Sequence, residues 1–173
     1  TSKRRASTRI KIIQIMNLEA NKVVIIPFSV EFKDAIKILN LEWLQKYFKV
    51  EPKDERVLSN PQSEIIDKGG VIFYAQYNKQ IVGTVSLLKI DDTTFELTKM
   101  AVTDGNQGLG IGKKLMKHCL NNAEKNGIKR LILYSNRRLL PAIHLYESFG
   151  FQEIPVEEGV YERADIKMEK NLF

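Results

Sequence analysis

A glycine-rich hexapeptide near the middle of the chain is the strongest candidate for a ligand site. Its sequence is Gln107-Gly108-Leu109-Gly110-Ile111-Gly112. A strand pattern from Phe95 to Val102 precedes it, and a helical pattern of apolar residues follows it. Because glycines let a ligand approach the backbone and a helix start offers unpaired N–H groups, this arrangement is typical of a phosphate site. A tight strand-to-helix turn without a ligand has the same composition.

The hexapeptide matches neither of two common nucleotide-binding patterns. The dinucleotide pattern G-x-G-x-x-G fails because Lys113 or Leu115 stands where the third glycine is required. The Walker pattern fails because Gln107 stands at its first glycine and Lys114 replaces its hydroxyl residue. What fits is Gln-x-x-Gly-x-Gly. We therefore expect neither ATP nor NAD at this turn.

Other side chains of reactive type are poorer candidates. His118 and Cys119 are adjacent, and neighbours on a helix do not face each other, so we expect a surface imidazole and a core thiol. His144 lies two residues from Tyr146 and points off that face of its helix. One cysteine and two histidines leave little for a metal centre, so no metal is predicted. An aromatic cluster is assigned to the core rather than to a ligand cage: Trp43, Tyr47 and Phe48.

The elements around these residues alternate between strand and helix patterns. A short β-branched run, Val23 to Ile26, is followed by amphipathic spacing from Phe32 to Leu39, and Asn40 is a candidate to break that helix and cap a second one. Further strands and helices are expected over residues 71–77, 80–88, 94–102, 111–123, 131–134, 140–148 and 160–169, with a hairpin turn at Asn78-Lys79. The apolar face of the helix over 111–123 is predicted to consist of Ile111, Leu115, Met116, Cys119, Leu120 and Ala123. The expected fold is α/β, with a mixed central β-sheet (an antiparallel meander plus a parallel pair) flanked by helices.

Length and composition are typical of one globular domain. The chain has 173 residues, of which 43% are hydrophobic and 28% charged. No apolar run approaches the roughly 20 residues of a membrane span, and no signal peptide is visible. The single cysteine excludes an internal disulfide. These features predict a cytoplasmic protein that is not associated with a membrane.

The net charge of +6 is concentrated at the N-terminus. Residues 1–11 contain no acid and nearly all of the excess charge, carried by Lys3, Arg4, Arg5, Arg9 and Lys11. We therefore divide the chain into a basic N-terminal extension, residues 1–20, and a single domain, residues 21–173. The extension is expected to be a solvated tail or to order only through contacts. Because no aromatic residues interleave its charges, no specific nucleic-acid binding is predicted, although such a tail could tether the protein to nucleic acid.

Two further segments, in the right order and spacing, join the hexapeptide in resembling one family. They are Glu96-Leu97-Thr98-Lys99-Met100-Ala101-Val102 and Ala142-Ile143-His144-Leu145-Tyr146-Glu147-Ser148-Phe149-Gly150-Phe151. The first segment looks like the central strand of the GNAT superfamily, and the second is similar to its Ala-x-x-x-Tyr and Gly-Phe signature. The hexapeptide resembles the pyrophosphate loop of the same superfamily. From about Val23 to its end, the chain thus resembles these acetyl-CoA-dependent N-acyltransferases, with which the single GNAT domain is expected to share its fold.

The resemblance implies where acetyl-CoA would bind. Backbone groups of Met100, Ala101 and Val102 would pair with the pantetheine arm like an added strand. Ala142 would leave room for it beside Tyr146. Many members have Asn where this chain has Leu139, and Asn136 is the candidate replacement. The pyrophosphate would be held by the amides of Gln107, Gly108, Leu109, Gly110, Ile111, Gly112 and Lys113.

The resemblance also implies a reaction, the transfer of acetyl from acetyl-CoA to a primary amine by direct attack. Glu96 is the candidate base, with a structural acid paired to Lys or Arg as the alternative. Tyr146 is the candidate acid to the CoA thiolate, with a core tyrosine as the alternative. The acceptor would be a small-molecule, peptide or protein amine, and the protein a monomer or homodimer. A CoA-binding regulatory module without turnover and a nucleic-acid-tethered acetyltransferase are the other interpretations.

Overall fold

The computed structural model describes residues 2–20 and 22–173, with side chains described for residues 5–16 and 22–173. The helices are α1 Ser2–Ala20, α2 Ala35–Tyr47, α3 Pro52–Ser59, α4 Ile111–Lys125 and α5 Leu140–Ser148. The strands are β1 Val24–Pro27, β2 Val71–Tyr77, β3 Gln80–Lys89, β4 Thr94–Val102, β5 Arg130–Ser135, β6 Gln152–Ile154 and β7 Ile166–Asn171. Over the described residues, no helix combines the length and the apolar character needed to cross a bilayer.

All seven strands form one sheet in the order β1-β2-β3-β4-β5-β7-β6. Only β4 and β5 are parallel, because α4 carries the chain back across the sheet between them. The hairpin between β2 and β3 turns at Asn78 and Lys79, whose φ angles of 50° and 62° suit the right-handed twist of paired strands. The mixed α/β sheet predicted from the sequence is confirmed.

Helices cover both faces of the sheet. On one face α4 presents an apolar stripe at helical spacing, and all of its predicted members are buried: Ile111, Leu115, Met116, Cys119, Leu120 and Ala123. On the other face α2 and α3 pack through Ile36, Leu44 and Leu58 against Ile72 and Tyr74. The sheet is therefore held between two cores, and the ends of its central strands face the space between the helices.

The two central strands part soon after they begin. Pairing between β4 and β5 is confined to Thr94–Arg130, Phe95–Leu131 and Glu96–Ile132. Three residues further along β4, Lys99 has a φ of 54°, and the register with β3 shifts there. Such a β-bulge bends a strand and increases its twist. A gap therefore opens between the strands beyond Glu96.

The end of the chain differs from the prediction. A single last strand was expected over residues 160–169, but β7 is Ile166–Asn171, and β6 at Gln152–Ile154 was not predicted. Residues 160–165 contain strand-forming types, yet they form a loop, because their polar groups bond to other elements: the Glu162 amide donates to Glu51 and the Asp165 amide to the Ser135 carbonyl. This loop reaches the candidate site described below.

The prediction that Asn40 breaks a helix is wrong, because α2 runs through it without interruption. Asn40 is fully buried, and its Nδ2 donates to the carbonyls of Ile36 at 2.9 Å and Lys99 at 3.1 Å. Its Oδ1 accepts a bond from Trp43 Nε1 at 3.2 Å. A buried amide is tolerated here because its hydrogen-bonding groups are satisfied.

Residues 2–20 form α1, although the sequence predicted no helix there. Every described side chain of this helix, from 5 to 16, is exposed, including Ile10, Ile13 and Met16. Exposure agrees with a solvated segment, but the backbone is ordered as a helix. The predicted boundary at residue 21, like the side chains of Lys3 and Arg4, lies outside what the structure describes.

Candidate functional site

A cavity of about 950 Å³ lies where β4 and β5 part. That volume is at the upper end of the range for small-molecule sites. The glycine turn, α2, α5, the loop before α5 and the loop around Tyr161 complete its wall. Of the site residues predicted from the sequence, all but Leu109 line this cavity, and the Leu109 side chain is exposed outside its wall.

The glycine turn forms one end of the cavity. Gly108 and Gly110 have φ angles of 86° and 71°, a backbone region that side chains other than glycine rarely adopt. The Gln107 amide, predicted to hold a pyrophosphate, already donates to the Asp104 carbonyl at 3.4 Å. In the described chain, none of the amide groups from Gly108 to Lys113 donates to a backbone carbonyl. These donors, at the positive end of the α4 dipole, form a cradle for an anionic group.

The cradle is accessible to a ligand, and hydrogen bonds to α2 hold the segment that leads into it. A Cβ atom built on Gly108 or Gly110 meets nothing within 4 Å, so a ligand can reach the backbone there. On the approach to the turn, Glu42 of α2 accepts bonds from the Thr103 hydroxyl at 2.9 Å and the Asp104 amide at 2.8 Å. No local sequence pattern predicted this role for Glu42. Its carboxylate fixes the end of β4, and with it the start of the turn.

The edge of β4 forms the floor of the cavity. Met100, Ala101 and Val102 line it, and β3 pairs with this part of β4 on the opposite side. Beyond Glu96, β5 makes no register pair with β4, so the peptide groups facing β5 are available to an extended ligand. This arrangement is the geometry of strand addition.

Tyr146 lies on the wall formed by α5, one turn after Ala142, and both residues line the cavity. Its ring packs edge-on against Phe151 at 6.1 Å between ring centres, and the residue is 9% exposed. Burial raises the pKa of Tyr146 to about 12. At neutral pH the hydroxyl is therefore a protonated donor at the cavity surface.

Glu96 lies at the point where the strands part and is 2% exposed. Its Oε1 accepts a bond from the Tyr161 hydroxyl at 3.2 Å. Burial raises the pKa of Glu96, opposed by the charges of Lys53 and Lys99 and by hydrogen bonds from Tyr161 and Thr98. Within the described chain, the carboxylate forms no salt bridge; it is a buried acid with a raised pKa beside a cavity.

A buried ion network supports the β4 bulge. The Nζ of Lys99 lies 2.8 Å from Asp54 Oδ1, with side-chain exposures of 3% and 0%. Arg163 forms a two-pronged pair with the same carboxylate, at 2.6 and 3.0 Å, and also contacts Glu51 at 2.7 Å. Neither Asp54 nor Arg163 was predicted from the sequence to be near the site. Together they tie α3, the bulge and the loop carrying Tyr161 to one another.

We expect Asp54→Asn to lower the free energy of unfolding at neutral pH by about 2 kcal/mol. Burial alone would raise the pKa of Asp54, but bonds and charges from Arg163 and Lys99 outweigh it and hold the pKa at about 2. Because the folded-state pKa lies below the unfolded value, this contribution is complete above about pH 4 and is lost as the pH falls toward 2. Urea unfolding of both proteins at several pH values measures it.

The control for this prediction is Glu55→Gln on the same helix. Glu55 pairs with Lys37 at 2.6 Å but is exposed, so solvent screens the pair and little change is expected. If the difference in the free energy of unfolding between the wild type and Asp54→Asn stays constant from pH 2 to pH 6, the ionisation of Asp54 does not contribute to stability and the prediction is wrong.

Asn136 lines the cavity but is already engaged. Its Nδ2 donates to the Arg163 carbonyl at 2.7 Å, and its Oδ1 accepts from the Arg138 amide at 2.9 Å. One N–H of the amide group therefore remains for a ligand. Its observed contacts join the loop before α5 to the loop carrying Tyr161.

Aromatic residues form an exposed mouth of the cavity. Trp43, Tyr47 and Phe48 all line it, and Tyr47 is 45% exposed. The assignment to the core holds for Trp43, which packs against the core around Leu44, and is wrong for the exposed Tyr47. His118 is exposed and Cys119 is buried, as expected, whereas His144, although exposed, lines the cavity together with Tyr146. Among the described residues there is no cluster of His, Cys, Asp and Glu that could hold a metal ion.

Several curated proteins are similar to this chain. N-acetyltransferase 8B of Homo sapiens is 30% identical over 97 residues, which are 53% of this chain and 43% of that protein. The [ribosomal protein bS18]-alanine N-acetyltransferase of Escherichia coli K12 is 31% identical over 90 residues, 52% of this chain and 60% of that protein. The chain thus spans about half the length of the curated relatives it matches.

Solved structures share the fold over most of the chain. A GNAT-family acetyltransferase from Staphylococcus aureus Mu50 superposes with a TM-score of 0.79 at 25% identity, covering 88% of this chain and all of that one. A protein from Salmonella typhimurium, solved with acetyl-CoA, superposes with a TM-score of 0.71 at 18% identity, covering 88% of this chain and 95% of that one.

The family model described as the acetyltransferase (GNAT) family matches residues 35–151. This range runs from the first residue of α2 to just past α5, and it contains the cradle, the bulge and both candidate catalytic residues. The chain therefore belongs to the GNAT acetyltransferase family.

Proposed function

We propose that this protein transfers an acetyl group from acetyl-CoA to a primary amine by direct attack, with Glu96 as base and Tyr146 as acid. The observation that carries the proposal is the placement of both residues on one cavity between parted strands, with an anion cradle at one end. The similar proteins named above are N-acetyltransferases, and one of them is named for acetylating an alanine of ribosomal protein bS18.

Acetyl-CoA fits the cavity as the acyl donor. The amides from Gly108 to Lys113 are donors for its pyrophosphate, and the free edge of β4 at Met100 to Val102 suits its extended arm. When bound, the thioester supplies the acetyl carbonyl, and an amide of β4 is the natural donor to its developing negative charge. The Salmonella protein solved with acetyl-CoA shares this fold.

Glu96 is suited to accept the proton of the amine. An alkylamine with a pKa of about 10.4 is uncharged in only about one molecule in 2,500 at pH 7, so a base is needed. The absence of a salt bridge within the described chain argues against a structural acid paired to Lys or Arg. A buried carboxylate with a raised pKa is a stronger base than an exposed one.

Tyr146 is suited to act on the departing thiolate. Its pKa of about 12 exceeds the roughly 8.5 of a thiol, so full proton transfer is uphill and the hydroxyl acts chiefly as a hydrogen-bond donor to sulfur. Because a thiolate is already a fair leaving group, the effect should lie at or below the low end for general acids.

We expect Tyr146→Phe to lower kcat by about 10- to 100-fold while the affinity for CoA changes little. The substitution keeps the ring that packs on Phe151 and removes only the hydroxyl. Steady-state kinetics with a good acceptor, together with calorimetric titration of CoA, measures both effects. Tyr77→Phe, a hydroxyl removed at the end of β2 and away from the cavity lining, is the control. Wild-type turnover in the Tyr146→Phe variant would make Tyr146 a packing residue.

The proposal as a whole is tested by thiol release. The protein is incubated with acetyl-CoA and a panel of small amines, amino acids and peptides, and free CoA is followed with a thiol reagent. Acceptor-dependent release supports the enzyme. If CoA binds in calorimetry and no amine in the panel releases thiol, a CoA-binding regulatory module is the better interpretation.

A further inference from the structure

One arginine at the aromatic mouth of the cavity has no carboxylate partner among the described residues. Arg138 lies in the loop between β5 and α5 and lines the cavity. Its Nη1 donates to the Tyr47 carbonyl at 3.4 Å, and its guanidinium lies 5.5 Å from the ring centre of Phe48. Both contacts come from the end of α2, on the other side of the mouth. The guanidinium is therefore held in place with most of its five donors free.

The other cations that line the cavity are differently placed. Lys99 and Arg163 both pair with the buried carboxylate of Asp54. Lys113 lies at the glycine turn, where an anionic group of the acyl donor is expected. Among the described Lys and Arg residues that line the cavity, Arg138 is the remaining one, and its charge at the aromatic mouth is available to a ligand.

Few acidic groups line the cavity. Glu96 is the one carboxylate among the described residues that line the cavity, and it lies where the strands part. An acceptor with a second positive charge would meet the guanidinium of Arg138 without a free carboxylate to offset it. An acceptor with a negative charge would meet cations and aromatic rings.

We propose that the acceptor is an amine that also carries a carboxylate, and that Arg138 binds this carboxylate. The inference rests on the proposed acetyltransferase function and narrows its substrate class to amino acids or short peptides with a free carboxyl end. A guanidinium binds a carboxylate through two parallel hydrogen bonds, which fixes orientation as well as charge. The Phe48 ring beneath the guanidinium restricts its motion and so favours that geometry.

The first test compares acceptors that differ only in this group. Amino acids, dipeptides and tripeptides with aromatic or aliphatic side chains are each assayed as the free acid and as the C-terminal amide. Because amidation lowers the pKa of a nearby amine, kcat/KM is expressed per fraction of uncharged amine. In the best-accepted series we expect the free acid to exceed its amide by about 10- to 100-fold, the range for a charge-assisted hydrogen bond.

The second test uses three variants. Arg138→Gln should abolish the preference for the free acid, leaving kcat/KM for the amide and KM for acetyl-CoA unchanged. Arg138→Glu should reverse the preference. Arg137→Gln is the matched control, because the adjacent Arg137 pairs with Glu153 and does not line the cavity, so the preference should persist.

Two outcomes would overturn the inference while leaving the acetyltransferase intact. Equal kcat/KM for free acid and amide in the wild type would show that no carboxylate is recognised. A rise in KM for acetyl-CoA in Arg138→Gln, equal with both acceptors, would assign the guanidinium to a phosphate of CoA. A complete absence of thiol release with every amine would instead remove the proposed function, and this inference with it.

Discussion

Gly110→Val is expected to weaken CoA binding by at least about 100-fold. Gly110 has a φ of 71°, a conformation in which a β-branched residue is strongly strained, so valine would force the turn to change. Its side chain would also occupy the open space through which a pyrophosphate approaches the amides. Loss of two such charge-assisted hydrogen bonds accounts for an effect of this size. Calorimetric titration with CoA measures it.

Gly127→Val provides a closely matched control. Gly127 has the same φ of 71°, and a Cβ built on it likewise meets nothing within 4 Å, but it follows the opposite end of α4. Both variants should lose similar stability on heating, because both place valine in the same strained conformation. Only Gly110→Val should lose CoA affinity. Undiminished affinity for CoA in a folded Gly110→Val protein would contradict the proposal that the amides of the cradle bind the pyrophosphate.

Glu96→Gln should lower kcat/KM at pH 7 by about 10²- to 10⁴-fold, the range for a general base. The variant keeps the shape of the side chain and removes its ability to accept a proton. Activity should recover partly at high pH, where free amine is abundant. In the wild type, activity should fall as the pH falls through the pKa of Glu96, which burial places above the ordinary glutamate value. This acid limb should disappear in Glu96→Gln.

Two further measurements separate a base from a structural acid. Because burial opposes the charged form of Glu96, glutamine should not lower the free energy of unfolding at pH 7. Tyr161→Phe removes the hydrogen bond that stabilises the charged carboxylate, so the acid limb should move to higher pH. An equal loss of activity at every pH, together with lower stability, would favour the structural role.

The sequence predicted correctly those features of the structure that depend on local patterns of neighbouring residues. The apolar spacing of α4 predicted each residue that it buries, and the Asn78-Lys79 turn marked the hairpin. The glycine turn and Tyr146 lie on the cavity as expected, because the turn and α5 carry their own local patterns.

The rest depends on partners that are distant along the chain. Lys99 has a positive φ at a point where Asn40 donates to its carbonyl and Asp54 pairs with its amine, and neither contact has a local pattern. The residues from 160 to 165 have strand-forming composition, yet their bonds to α3 and its N-terminal flank hold them as a loop. These bonds help to hold Tyr161 and Arg163 at the site.

Because of the gap between β4 and β5, the pairing between the two parts of the sheet is limited to the beginning of these strands. In the described chain, backbone pairing joins a four-stranded part to a three-stranded part at Thr94–Arg130, Phe95–Leu131 and Glu96–Ile132, and the amides of Lys129 and Arg130 also donate to the Thr93 carbonyl just before them. A ligand that hydrogen-bonds to the free edge of β4 would act as a missing strand, and its binding free energy would add to the cohesion of the two parts. Amide hydrogens along residues 97–102 that face the gap would then exchange with solvent at a rate that depends on the concentration of the acyl donor. The bound substrate would thus contribute to the structure of the sheet as well as to the reaction.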